Sequence, residues 1–151
     1  MNKVAIVFWS ATGNTETMAN CIAEGTGANG IIVPCTEMTP AKLAEFDVVA
    51  FGCPAMGAEQ LEEIEFEPMF AALEGSLNGK KIALFGSYGW GDGQWMRDWA
   101  QRAQDDGAQL FSEEGLICNE TPDDDVQAAC RTLGADLATW YKGCINPLSM
   151  G

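Results

Sequence analysis

A six-residue segment near the start of the chain has the composition of an anion-binding loop. Residues 10–15, SATGNT, offer four side chains that can donate hydrogen bonds and contain neither Lys nor Arg. Without a Lys the segment fails the Walker pattern, but hydroxyls, an amide and the free N–H groups at a helix start can surround a single phosphate monoester. A plain helix cap is the alternative, and the density of donors favours the phosphate. The predicted phosphate site comprises Ser10, Ala11, Thr12, Gly13, Asn14 and Thr15.

Two later loops contain side chains that fit no helical or strand pattern. Residues 54–59, PAMGAE, place Met56 beside Gly57, and glycine accepts either sign of φ, which would let the neighbouring peptide reorient. Residues 87–91, SYGWG, surround Trp90 with glycines and offer its indole as a flat platform. For both Met56 and Trp90, packing against the core is the alternative. The candidate ligand contacts are Pro54, Ala55, Met56, Gly57 and Glu59, followed by Ser87, Tyr88, Gly89, Trp90 and Gly91.

The elements that must position these loops are five short runs rich in β-branched or aromatic residues. The runs span residues 3–9, 30–35, 47–53, 81–87 and, less cleanly, 108–118. Helical patterns lie between them at residues 15–25, at a short turn from Thr39-Pro40, and at 62–73, 94–105 and 121–142. Nearly continuous apolar runs are typical of parallel strands covered on both faces. We predict one α/β domain over residues 1–151, a doubly wound five-stranded parallel sheet in three layers.

In open sheets of this kind, ligands bind beyond the carboxyl ends of the strands. The loops after strands one, three and four are therefore expected to meet at one edge of the sheet. A phosphate site, a polarizable thioether and an indole platform at that edge describe a site for a planar aromatic ligand with one phosphate. Flavin mononucleotide (FMN) has that shape and charge, so we predict FMN as the cofactor.

The charge of the chain limits its partners. Asp and Glu number 22 against 8 Lys and Arg, so the formal net charge is −14. An acidic surface repels nucleic acid and anionic membranes, and it favours a basic partner met through electrostatic steering. An acidic run after the third strand, comprising Glu62, Glu63, Glu65 and Glu67, is interpreted as a solvated helix face.

Histidine is absent, and the six cysteines form no C-x-x-C pair; they are Cys21, Cys35, Cys53, Cys118, Cys130 and Cys144. This composition excludes His-based nucleophilic pairs and gives no support to zinc, iron–sulfur or thioredoxin-type sites. We expect the cysteines to be small buried hydrophobes. The first apolar run is too short for a signal peptide, and no run approaches the length of a membrane span. We therefore expect a cytoplasmic protein.

Three motifs in this order closely resemble those of flavodoxins, specifically the short-chain flavodoxins of anaerobic bacteria. They are SATGNT at residues 10–15, GCPAMG at 52–57 with the following Glu59, and FGSYGWGDG at 85–93. The resemblance covers nearly the whole chain. It implies strand order 2-1-3-4-5 and one noncovalent FMN. It also implies a monomeric, low-potential carrier of single electrons between redox proteins, and not an enzyme.

The resemblance also implies roles for individual residues. Ser10, Thr12, Asn14 and Thr15 would bind the phosphate, and Met56 and Trp90 would cover opposite faces of the ring, with Tyr88 in reserve as the outer platform. The carbonyl of Gly57 would meet N5–H of the reduced ring, and Glu59 would meet N3–H. Two positions depart from relatives: Pro54 stands where some have serine, and Ala58 replaces an acidic or hydroxyl residue.

Two other functions compete with this interpretation. A flavin-dependent NAD(P)H or quinone reductase needs the nicotinamide to stack on the flavin, but Met56 and Trp90 would occupy both ring faces. A non-redox phosphate-binding or signalling module of the receiver type needs acidic residues at the end of strand one and a lysine after strand five. Trp9-Ser10 and Asn119-Glu120 do not provide them.

Overall fold

The computed structural model describes residues 3–57, 60–89, 91–112 and 115–140. Its strands are β1 (Val4–Phe8), β2 (Gly30–Pro34), β3 (Val48–Gly52), β4 (Lys81–Tyr88), β5 (Gln109–Leu110) and β6 (Leu116–Asn119). Its α-helices are α1 (Asn14–Thr26), α2 (Pro40–Leu43), α3 (Phe66–Leu73), α4 (Gln94–Asp105) and α5 (Asp124–Trp140). Strands and helices alternate as the periodicity of the sequence predicts, except that β5 and β6 follow each other directly.

The strands form one parallel sheet in the order β2-β1-β3-β4-β5, with β6 also paired to β4. The predicted order 2-1-3-4-5 is therefore confirmed. Alternate residues of each strand face opposite layers, so Val7 and Phe51 join the core that contains α3 and α4, whereas Ile6 and Phe85 join the core that contains α1 and α5. The three-layer α/β prediction is correct.

The fifth predicted strand, residues 108–118, is instead two short strands. Ile82 pairs with Leu110 and Phe85 pairs with Leu116, so the two strands pair with separate stretches of β4. Gly115 explains part of the interruption, because a Cβ there would lie 2.3 Å from Sδ of Met96 and 2.9 Å from the carbonyl oxygen of Leu84. The chain passes too close to its neighbours at this point for a regular strand with side chains.

The acidic run after β3 also differs from its prediction. Helix α3 begins at Phe66 and not at residue 62, and Glu62 is buried with 6% exposure. Glu67 is not a purely solvated residue either, because both of its carboxylate oxygens accept hydrogen bonds from Arg102 at 2.7 Å. Glu63 and Glu65 are exposed as expected.

The cysteines within the described residues behave as predicted. Cys21, Cys35, Cys53, Cys118 and Cys130 are buried and carry free thiols, while Cys144 lies outside the described part of the chain. Burial raises the pKa of the Cys53 and Cys130 thiols to about 12, so neither is a reactive thiolate at neutral pH. Among the described helices, none has the length and apolar character needed to cross a bilayer.

A carboxyl pair at the end of α4 makes stability depend on pH. Burial, followed by the Glu74 carboxylate, raises the pKa of Asp106 to about 6. Because this pKa exceeds the ordinary value of 3.8, the neutral form is favoured in the folded state and its stabilising contribution is lost as pH rises through about 6. We expect Asp106→Asn to increase the free energy of unfolding at pH 8 but not at pH 4, measured by urea denaturation.

The matched control for that substitution is Asp105→Asn, because Asp105 is the exposed neighbour on the same helix. It removes the same charge from a solvated site. An equal gain in both variants at pH 8 would mean that relief of the overall negative charge, and not the pair with Glu74, causes the effect.

Candidate functional site

The loop between β1 and α1 carries backbone N–H groups that can donate to a ligand. Gly13 precedes α1 with φ of +97°, a left-handed conformation that glycine adopts without the penalty of a side chain. The Oγ atom of Ser10 accepts hydrogen bonds from the N–H groups of Gly13 at 3.2 Å and Glu16 at 3.3 Å. The N–H groups of Ala11, Thr12, Asn14 and Thr15 have no acceptor among the described residues. They are the donors that a bound anion would satisfy.

Thr15 joins this loop to the end of β4. Its hydroxyl and that of Ser87 lie 2.9 Å apart, and it accepts the backbone N–H of Ser87 at 3.3 Å. Both side chains are buried, with 1% exposure for Thr15 and 5% for Ser87. The contact between the two hydroxyl groups holds the loop after β1 close to the loop after β4.

The loop after β3 is held to the same edge by backbone bonds. The N–H of Ala55 donates to the carbonyl of Ser87 at 3.0 Å, and Met56 and Gln60 exchange two backbone bonds at 2.8 and 3.0 Å. Gly57 follows this bridge with φ of +50°, and a Cβ at Gly57 would meet no atom of the described residues within 4 Å. Backbone conformation alone therefore makes this position favour glycine.

A cavity of about 400 Å³ lies between the three loops. Its lining residues are Ser10, Ala11, Thr12, Asn14, Thr15, Pro54, Ala55, Met56, Ser87, Tyr88, Gly89, Glu120 and Thr121. The structure thus brings together most of the residues predicted from sequence. Gly13, Gly57 and Gly91 shape the loops without lining the cavity. Glu59 and Trp90, with Ala58, lie outside the described residues.

Glu120 and Thr121 are lining residues that sequence reasoning missed. They follow β6, whose pairing to β4 brings its carboxyl end to the same edge of the sheet. The N–H of Glu120 donates to the carbonyl of Tyr88 at 2.7 Å, and Glu120 has φ of +60°, a left-handed value unusual for a residue with a side chain. The sequence feature that indicates these two residues is their position directly after the fifth predicted strand. The irregular pattern of that strand obscured this position.

Two aromatic residues near the site have partners outside the cavity. The indole N–H of Trp9 donates to Oε1 of Glu65 at 3.3 Å. Tyr88 lines the cavity, and its ring also packs on Trp95 with the two centroids 5.5 Å apart and the planes tilted by 49°. The contact with Trp95 restricts how far the Tyr88 ring can turn toward a ligand.

The donor set of the cavity fits a phosphate monoester better than a highly charged anion. None of the described lining residues is a Lys or Arg, so the donors are neutral hydroxyls, the Asn14 amide and backbone N–H groups. The N-terminus of α1 adds the partial positive charge of its aligned peptides. The apolar side of the cavity, which includes Pro54, Ala55 and Met56, suits a flat hydrophobic ring.

Comparison with known proteins agrees with this geometry. Residues 6–132 match the family model described as flavodoxin. The chain belongs to the flavodoxin family. It is 46% identical to the flavodoxin of Megasphaera elsdenii over 134 residues, covering 87% of this chain and 95% of that protein. It is 42% identical to the Clostridium beijerinckii flavodoxin over 136 residues, covering 88% and 97%.

Solved structures of flavodoxins also superpose on the fold. The solution structure of two-electron reduced Megasphaera elsdenii flavodoxin gives a TM-score of 0.81 at 45% identity, covering 90% of this chain and 98% of that one. A flavodoxin from the domain Archaea gives 0.79 at 25% identity, covering 93% and 99%. As a member of the flavodoxin family the chain is an FMN-binding electron-transfer protein and not an enzyme, and the reductase interpretation is not favoured.

Proposed function

We propose that the protein is a low-potential carrier that holds one FMN in the cavity between its three loops and passes single electrons between redox proteins. The observation that carries the proposal is a set of four backbone N–H groups without an acceptor among the described residues, on residues that line a cavity free of described Lys and Arg. The bound FMN would supply the one-electron chemistry. The protein would supply the binding, the orientation and the electrostatic environment, as one FMN-binding domain.

In this arrangement the start of α1 would hold the phosphate. The N–H groups of Ala11, Thr12, Asn14 and Thr15, which have no acceptor among the described residues, would donate to its oxygens. The Ser10 hydroxyl, which already accepts two N–H groups, keeps its own proton free to donate. The side chains of Thr12 and Asn14 add further donors, and Thr15 acts mainly through its bond to Ser87.

The loops after β3 and β4 would hold the ring. Met56 would cover one face, and Trp90 is proposed for the other, with Tyr88 in reserve. Glu59 is proposed to accept from the edge of the ring, and the carbonyl of Gly57 to accept from N5–H of the reduced ring. The support for this orientation is the lining of the cavity, which contains Pro54, Ala55 and Met56 from the loop after β3 and Tyr88 and Gly89 from the end of β4.

The low potential follows from charge. The formal net charge is −14, and Glu120 lines the cavity while no described lining residue is a cation. Two like charges about 8 Å apart repel by about 2 kcal/mol at an effective dielectric constant near 20. Each acidic residue near the ring therefore disfavours the negative charge that reduction brings, which makes the reduced protein a stronger reductant.

The same charge indicates the chemistry of the partners. Exposed Glu63 and Glu65 flank Ile64, which is 80% exposed on the loop that follows Met56 along the chain. An acidic rim with an apolar contact suits redox proteins that carry basic docking patches. We propose that the protein works as a monomer in the cytoplasm and does not bind nucleic acid or membranes.

The proposal is tested by reconstitution. Protein stripped of FMN is expected to bind FMN at one per chain. Once its flavin has been reduced with dithionite, it is expected to transfer electrons to cytochrome c, a basic redox protein, at a rate that falls as salt is added. NADPH alone is not expected to bleach the flavin. Rapid bleaching by NADPH would instead support the reductase, and failure to bind FMN would reject the site.

Replacing Gly57 tests the turn after Met56. Gly57→Val places a β-branched side chain at φ of +50°, which costs roughly 1–2 kcal/mol in a left-handed conformation. We expect the two one-electron potentials of the flavin to move closer together. The reason is that the peptide orientation in which the Gly57 carbonyl would accept from N5–H of the reduced ring becomes less favourable. A redox titration monitored by absorbance measures both potentials. The control is Gly75→Val, at an exposed helical-turn glycine with no positive φ and open space around its Cβ.

A further inference from the structure

We propose that Glu62 and Cys53 are positioning residues that close the base of the loop carrying Met56 and Gly57, so that this loop is held ready for the ring before the cofactor binds. The inference rests on the proposed function, because it concerns how that site is preformed. Neither residue lines the cavity, and both are buried, with 6% exposure for Glu62 and 0% for Cys53.

Glu62 holds the far end of the loop through its carboxylate. Its Oε1 atom accepts the N–H groups of Glu65 at 2.7 Å and Phe66 at 2.9 Å, and its Oε2 atom accepts the N–H of Ile64 at 2.8 Å. These donors belong to the turn that begins α3. Burial acts to raise the pKa of Glu62, but the three N–H bonds outweigh it and the pKa lies below its ordinary value. The group is therefore a carboxylate at neutral pH.

Cys53 holds the near end. Its Sγ atom accepts the backbone N–H of Glu62 at 3.3 Å, which joins the two ends of an eight-residue loop, 54–61. Cys53 is itself fixed, because its N–H donates to the carbonyl of Phe85 at 3.1 Å and its carbonyl accepts the Trp95 indole N–H at 3.1 Å. The base of the loop is thus bonded to β4, α4 and the start of α3.

A fixed base has a consequence for binding. The Met56–Gln60 bridge lies between the base and Gly57. Met56 is therefore held from two sides in the position proposed for one face of the ring. If the hydrogen bonds of Cys53 and Glu62 were lost, Met56 would no longer be held in place. The entropy cost of ordering the loop would then reduce the free energy of FMN binding.

The sign of the effect separates positioning from charge. Removing a negative charge near an anionic ligand strengthens binding, so Glu63→Gln, at the exposed neighbouring position, is expected to leave FMN affinity unchanged or slightly higher. Glu62→Gln removes the same charge but turns an amide NH₂ toward backbone N–H donors that need an acceptor. We expect it to weaken FMN binding by about 10-fold.

Riboflavin provides the readout that distinguishes this role from a general loss of structure. The loop contacts the ring and not the phosphate, so Glu62→Gln is expected to raise the Kd of stripped protein for riboflavin and FMN by the same factor. Cys53→Ala, which removes the acceptor for the Glu62 N–H, is expected to act in the same direction. Its control is Cys130→Ala, an equally buried thiol on the opposite face of the sheet.

The inference is overturned if Glu62→Gln and Cys53→Ala bind both flavins as tightly as Glu63→Gln and Cys130→Ala. It is also overturned if FMN binding weakens while riboflavin binding does not, because that result assigns the effect to the phosphate loop. Should Glu62→Gln fail to fold, the pair of cysteine variants decides the question. If the unmodified protein binds no FMN, the proposed function fails instead.

Discussion

Asn14→Asp is expected to weaken FMN binding by at least about 100-fold while leaving riboflavin binding unchanged. Asn14 lies at the start of α1, lines the cavity and has a backbone N–H without an acceptor among the described residues. The substitution replaces an amide donor with a second anion beside the phosphate. At about 4 Å and an effective dielectric constant near 20, two unit charges repel by about 4 kcal/mol, and solvent near the cavity mouth reduces this to about 3.

The matched control is Asn20→Asp, at an exposed position of the same helix. It makes the same chemical change away from the loop, so its FMN affinity is expected to stay within about 2-fold of the unmodified protein. Fluorescence titration of stripped protein with each flavin measures both affinities. If riboflavin binding falls as far as FMN binding, Asn14 contacts the ring and the phosphate is misplaced. If neither changes, the cofactor does not bind at this helix.

Arg102→Leu is expected to lower the free energy of unfolding at pH 7 by about 3 kcal/mol. Its guanidinium donates to Glu67 at 2.7 Å through two nitrogens, donates to Glu74 at 2.7 and 2.9 Å, and lies 5.0 Å from the centroid of the Phe70 ring. The side chain is 30% exposed, so the value lies at the lower end for a buried pair. Leucine keeps the packing on Phe70 but leaves two neighbouring carboxylates without a cation.

The effect of Arg102→Leu should shrink as pH falls. The hydrogen bond from Arg102 is the main cause of the lowered pKa of Glu74 in the folded protein. The stability that this bond contributes is therefore fully present above pH 4.5, the ordinary pKa of the group, and is lost as pH falls through the pKa of Glu74 in the folded state. Urea denaturation at pH 7 and pH 4 measures this. Arg97→Leu, on the same helix with an exposed bond to Asp92 at 3.0 Å, is the control and should cost less than about 1 kcal/mol. Equal losses in both variants would reject a special contribution from the partly buried pairs of Arg102 with Glu67 and Glu74.

Several features of the fold are predictable from short windows of sequence. Thr39 and Pro40 predict the start of α2, and the Oγ1 atom of Thr39 accepts the N–H of Lys42 at 3.2 Å. Helix α4 spans the predicted residues 94–105, because the apolar stripe and the preceding glycine act within the helix itself. Signals of this kind depend on neighbours a few residues away along the chain.

The meeting of the loops was also predictable, for a physical reason. Continuous apolar runs imply parallel strands, and the carboxyl ends of parallel strands share one edge. The lining of the cavity by residues 10–12, 54–56 and 87–89 agrees with that reasoning. The roles of Glu59 and Trp90 stay predictions, because both residues lie outside the described part of the chain.

The order of elements, the parallel sheet and the neutral character of the phosphate loop all follow from local patterning along the chain. Tertiary structure alone decided that Glu62 is buried, that the fifth strand divides and that Glu120 reaches the cavity. A carboxylate is stable inside a protein only when enough donors converge on it. The N–H groups that donate to Glu62 come from a turn whose direction is set by packing between distant segments. That direction cannot be predicted from the periodicity of the sequence.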